Sequence, residues 1–182
     1  MSRLPLIDPA HAAGPARDLL GAVRAKLGLV PNMTRAMANS PAVLRAYLAF
    51  GEALGSGRID KRTGELIALV VAETDGCDYC LAAHTAIGGM LKLAADDLAN
   101  ARRATARDAR TAAILAFARK LVVERGHVDD TDMASLRAAG LDDGEIADVV
   151  GHVAINVFTN LFNSAARTDV DFPVVAPLKQ AA

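Results

Sequence analysis

Large rings are scarce in this 182-residue chain: aromatic residues make up 4% of it and tryptophan is absent. That excludes a core built from big aromatic side chains. Alanine fills 38 positions instead, so helices whose backbones approach closely are the expected design. Charge of one sign is lacking too, with 20 Lys+Arg against 21 Asp+Glu and no run of five or six like charges. Such a surface has no electrostatic footprint for nucleic acid or an anionic membrane. Long hydrophobic runs are missing: no purely apolar stretch is longer than Leu66 to Ala72, which is far short of the roughly 20 residues that span a bilayer. Met1-Ser2-Arg3-Leu4-Pro5 has none of the apolar character of a secretory signal, so a cytoplasmic protein is expected. Cysteine is nearly absent. Cys77 and Cys80 sit three apart, whereas a disulfide scaffold scatters cysteines to close long loops.

What is present reads as helix. Residues 1–14 form an extended arm, and Pro15 at a first helical position opens an amphipathic pattern (Leu19, Leu20, Val23, Leu27) that stops at Gly28. After a loop at Val30-Pro31, Ser40 caps a helix that starts with Pro41 and runs to Gly55. Asp60 caps the next, which is apolar on nearly every side up to Gly76 and so reads as the buried central element. Cys77 opens another, whose first two turns are secure; Gly88-Gly89 weakens its second half by about 1 kcal/mol per glycine. A short segment near 94–102, a long one near 106–125 and a short helix over 129–139 follow. Asp142 with Glu145 makes an Asp-led capping box for a last long helix through Phe162. No stretch alternates with period two. The expectation is an all-α fold of seven to nine helices, one domain over 1–182, with an extended C-terminal tail over 168–182.

The chemistry concentrates in Cys77-Asp78-Tyr79-Cys80-Leu81-Ala82-Ala83-His84, with Glu65 twelve residues before the first cysteine. Cysteines at i and i+3 of a helix start share one face, close enough to bridge, and free backbone N–H groups there favour thiolate. His84 lies one turn after Cys80, within reach of its thiol directly or through one water. Peroxide cleavage by a thiolate needs a nucleophile, a resolving thiol, a proton relay and an external reductant; the first three are present locally.

The pattern Glu65-x11-Cys77-x2-Cys80-x3-His84 resembles the signature of the AhpD-like alkylhydroperoxidases, within the carboxymuconolactone decarboxylase superfamily. Leu29-Val30-Pro31-Asn32, Gly151-His152-Val153-x-Ile155-Asn156-x-Phe158-Thr159-Asn160 and Asp171-Phe172-Pro173 look like its longer peroxidase-related branch. The resemblance implies an AhpD-like helical bundle, with Cys80 as the peroxidatic thiol, Cys77 as the resolving thiol and Glu65 with His84 as the proton relay. It further implies a homo-oligomer (dimer, trimer or hexamer), no bound cofactor, an organic hydroperoxide as substrate, and an external dithiol reductant, the lipoyl group of a partner protein. One position departs from the pattern: Tyr79 stands where well-studied members often carry histidine, and a phenol is a poor base near neutral pH.

Other readings carry distinct demands. A zinc site could draw on Cys77, Cys80, His84 and Glu65, but structural zinc mostly uses a second pair of cysteines or histidines, which the chain lacks. A lactone decarboxylase needs a base and an anion-stabilising pocket but no cysteine pair. A redox-responsive oligomeric binding protein would switch a contact through the disulfide without turnover. His152 and Asn156, four apart in an apolar helix, either bond to each other or line the pocket, and Asn160 and Asn163 continue that polar stripe. Glu73 reads as a solvent or subunit contact.

Overall fold

The computed structural model describes residues 1–178; the last four positions of the expected tail lie outside the described residues. Among the described residues there are nine helices and no strand: α1 (Gly14–Leu27), α2 (Asn32–Met37), α3 (Pro41–Gly55), α4 (Lys61–Asp75), α5 (Asp78–Met90), α6 (Ala95–Arg102), α7 (Ala109–Val123), α8 (Asp130–Ala138) and α9 (Asp143–Ala166). None is long and apolar enough to cross a membrane.

Local signals place most boundaries. The Asp60 carboxylate accepts from the N–H groups of Arg62 (2.9 Å) and Thr63 (3.1 Å) and starts α4. Replacing Asp60 with alanine leaves those donors without their acceptor, an expected cost of about 1 kcal/mol. In a chain of this size that lowers the thermal midpoint by about 2–4 °C, measurable by calorimetry. Both Asp142/Glu145 and Asp129/Asp132 form complete capping boxes. At the far end of α4, Gly76 adopts φ +66°, a left-handed conformation that costs glycine little. That turn is what delivers Cys77 directly to the start of α5.

Helix α4 is the hub, packing against α5, α6, α7 and α9. Its run from Leu66 to Ala72 is buried throughout, and Ile67, Leu69 and Val71 are fully enclosed with Leu115 of α7 and Val149 of α9. A smaller cluster of Leu20, Met37, Ala38 and Leu44 ties α1, α2 and α3 together and reaches α9 through Phe162.

Two elements differ from the sequence reading. The six-residue α2, where only a loop was expected, is short and has no side-chain N-cap; the helix is held by tertiary contacts of Thr34, Ala36 and Met37. Helix α5 also runs unbroken through Gly88 and Gly89 to Met90. A Cβ on Gly88 would stand 2.6 Å from Leu98 Cδ2, so the glycine there allows α6 to close onto α5. Glu73 is not a solvent contact: it pairs with Arg102 Nε at 2.7 Å, and both side chains are largely enclosed. The C-terminal segment straps over this pair, with Arg102 Nη2 donating to Ala176 O (2.6 Å) and Leu178 N to Glu73 (2.6 Å). The N-terminal arm is anchored as well, Arg3 N donating to Ala166 O at 2.6 Å.

Candidate active site

The site forms where the turn after α4, the start of α5 and the C-terminal half of α9 meet. Cys77 is the N-cap of α5, and its sulfur accepts the Cys80 N–H at 3.3 Å. Both cysteines are free and buried. The neighbouring Cys80 side chain lowers the Cys77 pKa; the Cys80 N–H and the nearby His84 lower it further, against burial. The same contact, with burial, raises that of Cys80. Of the two thiols, Cys77 is thus the one whose ionisation its surroundings favour.

Glu65 and His84 come together from α4 and α5: Glu65 Oε1 lies 2.6 Å from His84 Nδ1, both side chains mostly enclosed. Burial pushes the imidazole pKa down, but the Glu65 carboxylate, Cys77 and the Asn156 amide more than offset it, so it stands above the ordinary value. No direct hydrogen bond joins His84 to either sulfur.

Tyr79 takes a different part from a relay base. Its hydroxyl donates to Asp171 Oδ1 (2.8 Å) and accepts from Met33 N (3.1 Å), while Asp171 Oδ2 accepts from Asn32 N (2.8 Å). Its ring meets Phe172 edge to face at 5.9 Å. Burial pushes its pKa well up. Tyr79 thus fastens α2 and the Asp171-Phe172-Pro173 segment to the CxxC helix, which accounts structurally for two stretches that the sequence had marked only by resemblance.

His152 and Asn156 do not bond side chain to side chain. The Asn156 amide donates to the His152 carbonyl (2.8 Å), an intrahelical contact, and lies beside His84. The His152 ring packs on Gly64, and burial lowers its pKa.

Two side chains complete the site beyond the cysteine motif. Asn163 Nδ2 donates to Cys80 Sγ (3.3 Å) and to Met33 Sδ (3.1 Å). Its signal was the polar stripe along α9, which also places Asn160 against Asp75 Oδ2 at 3.1 Å. Tyr47 of α3 is the other, its pKa pushed up to about 12 by burial and by nearby Glu65 and Cys80. It occupies an ordinary amphipathic position, and nothing in the sequence singled it out. Among the described residues, no group of three or more His, Cys, Asp and Glu could hold a metal ion.

Residues 41–124, which contain Glu65, both cysteines and His84, match the model of the carboxymuconolactone decarboxylase family. The chain resembles a peroxidase-related protein with an alkylhydroperoxidase AhpD core from Ralstonia eutropha JMP134. The TM-score is 0.82 at 27% identity, over 93% of this chain and 92% of that one. A peroxidase-related protein from Silicibacter sp. TM1040 is similar at TM-score 0.81 and 28% identity, over 92% and 91% of the two chains. A stretch of 45 residues is 49% identical to a Haemophilus influenzae protein, spanning 24% of this chain and 40% of that relative. In its matched segment and its all-helical fold, the chain is similar to proteins of the AhpD/carboxymuconolactone decarboxylase superfamily.

Proposed function

We propose that the protein is a thiol-dependent peroxidase of antioxidant type that reduces alkyl hydroperoxides through a Cys77–Cys80 disulfide. The observation that carries this reading is the free, buried cysteine pair at the start of α5, with the Cys80 N–H on the Cys77 sulfur and the Glu65–His84 pair joined from α4 and α5. Cys80 passes its proton to Cys77 and attacks the terminal peroxide oxygen, forming an S–O bond as the O–O bond breaks. The departing alkoxide takes up a proton through the Glu65–His84 relay and leaves as alcohol. The Cys77 sulfur then displaces water from the Cys80 sulfenic acid, closing the disulfide. An external dithiol, the lipoyl group of a partner protein, restores both thiols by exchange. The assembly is a homo-oligomer; Phe50 of α3 and Val150, Phe158 and Leu161 of α9, all apolar and exposed, support that arrangement.

The test uses the wild-type chain. One equivalent of cumene hydroperoxide should remove both thiols and lower the subunit mass by about 2 Da, as an intramolecular disulfide requires. With excess dithiol, many equivalents should be consumed per subunit. A single stoichiometric burst would favour a redox-responsive binding protein, and no thiol loss would overturn the peroxidase reading. Decarboxylation of a lactone needs no cysteine, so such activity in a chain with both cysteines replaced by serine would favour that chemistry.

A further inference from the structure

We propose that Asn163 and Thr168 form the subsite that takes the O–O–H head of the hydroperoxide, in a cleft of about 390 Å³ at the C-terminal end of α9. The subsite rests on the peroxidase reading above and specifies how the substrate is held.

Both residues line this cleft, together with Cys77, Tyr79 and Arg167. Asn163 is 3% exposed and Thr168 7%, yet Asn163 Oδ1 and Thr168 Oγ1 have no hydrogen-bond partner. Buried polar atoms are almost always paired, because an unpaired one forfeits its hydration without compensation. The other two such atoms among the described residues, on His152 and Asn160, belong to residues outside the lining of this cleft. The end of α9 brings the pair together: Arg167 takes φ 47°, and Thr168 N turns back to donate to Asn163 O at 3.1 Å.

The two unpartnered groups match the chemistry of a hydroperoxide. Its O–H is a donor and both of its oxygens are acceptors; the Asn163 amide oxygen accepts and the Thr168 hydroxyl donates. The other end of the same amide donates to Cys80 Sγ at 3.3 Å, so one side chain bridges the attacking sulfur and the peroxide. Cys80, Glu65 and His84 lie outside the lining of this cleft, and Asn163 is the residue that joins it to Cys80; Thr168 O–H stabilises the alkoxide as the O–O bond breaks, before a proton from the relay gives the alcohol. Asn163 and Thr168 act by holding substrate and developing charge, and neither is consumed.

Thr168→Val is the decisive variant, since it keeps the shape and removes only the hydroxyl. Loss of one hydrogen bond to the reacting oxygen should slow the first, peroxide-dependent step about tenfold. Alkylation of the reduced pair by iodoacetamide, which needs no peroxide subsite, should stay within about twofold of wild type. The thermal midpoint should not fall, because an unpaired hydroxyl is lost, and Thr168→Ser should restore the peroxide rate. Asn163→Ala should slow the peroxide step more than alkylation. A wild-type peroxide rate in Thr168→Val, or equal slowing of both reactions, would overturn the subsite while leaving the peroxidase reading intact. A wild-type chain inert to hydroperoxide would overturn both.

Discussion

Glu65→Gln is expected to lower hydroperoxide turnover about a hundredfold, the loss typical of a disabled proton relay. Glutamine still offers His84 Nδ1 a hydrogen-bond acceptor in place of the carboxylate at 2.6 Å, but it removes the negative charge. Without that charge, burial meets less opposition and the imidazole pKa falls from its raised value. The same change has a signature in stability. A histidine whose pKa is raised by folding contributes stability that is full below about 6.5 and is lost as pH rises through the folded value. Wild type should therefore exceed Glu65→Gln most near about pH 6, and the gap should narrow toward about pH 9. Cys77, whose lowered pKa adds stability as pH rises, contributes the opposite trend to both proteins. Turnover within threefold of wild type, or a gap that does not change between the two pH values, would refute the relay.

The second large effect is structural. Ile67→Ala is expected to destabilise the fold by about 3–4 kcal/mol, because Ile67 is fully enclosed at the centre of α4 and its lost methyl groups leave a cavity that the neighbours fill only in part. Helix α4 packs against four other helices, so little of its surroundings can relax inward without disturbing a second contact. Ile67→Val should cost about 1 kcal/mol. Urea unfolding followed by circular dichroism measures both; equal values for the two variants would mean that the site collapses freely and that α4 is not the rigid centre of the molecule. Activity should follow stability here, since α4 also carries Glu65 and its terminal turn sets Cys77.

Much of this architecture was legible before the coordinates, and the reason is local. The caps at Ser40, Asp60 and Asp142 and the glycines at 28, 76 and 140 are short-range devices whose geometry is settled within a few residues. Helix α2 and the second half of α5 were not legible, because both depend on what packs against them: buried Thr34, Ala36 and Met37 in one case and Leu98 over Gly88 in the other. The same division runs through the site. Cysteines three apart and a histidine one turn on share a helix face in any chain that forms this helix, so Cys77, Cys80 and His84 could be grouped from their spacing alone. Tyr79 shares that helix, yet its partners are Met33 and Asp171, residues 46 and 92 positions away, and no spacing within the motif foretells them.

The sequence by itself determined an all-helical chain with a cysteine pair at a helix start, because propensity, capping and i, i+3, i+4 neighbourhood all act within one element. Only the tertiary structure decided that the Glu65 carboxylate meets His84 Nδ1, that the Asn163 amide reaches Cys80 and that the Asn163 and Thr168 oxygens stand without partners. Those contacts join α4 to α5 and α9 to the cysteines, and the direction of a buried polar side chain is fixed by how whole helices pack around α4 rather than by its neighbours in the chain.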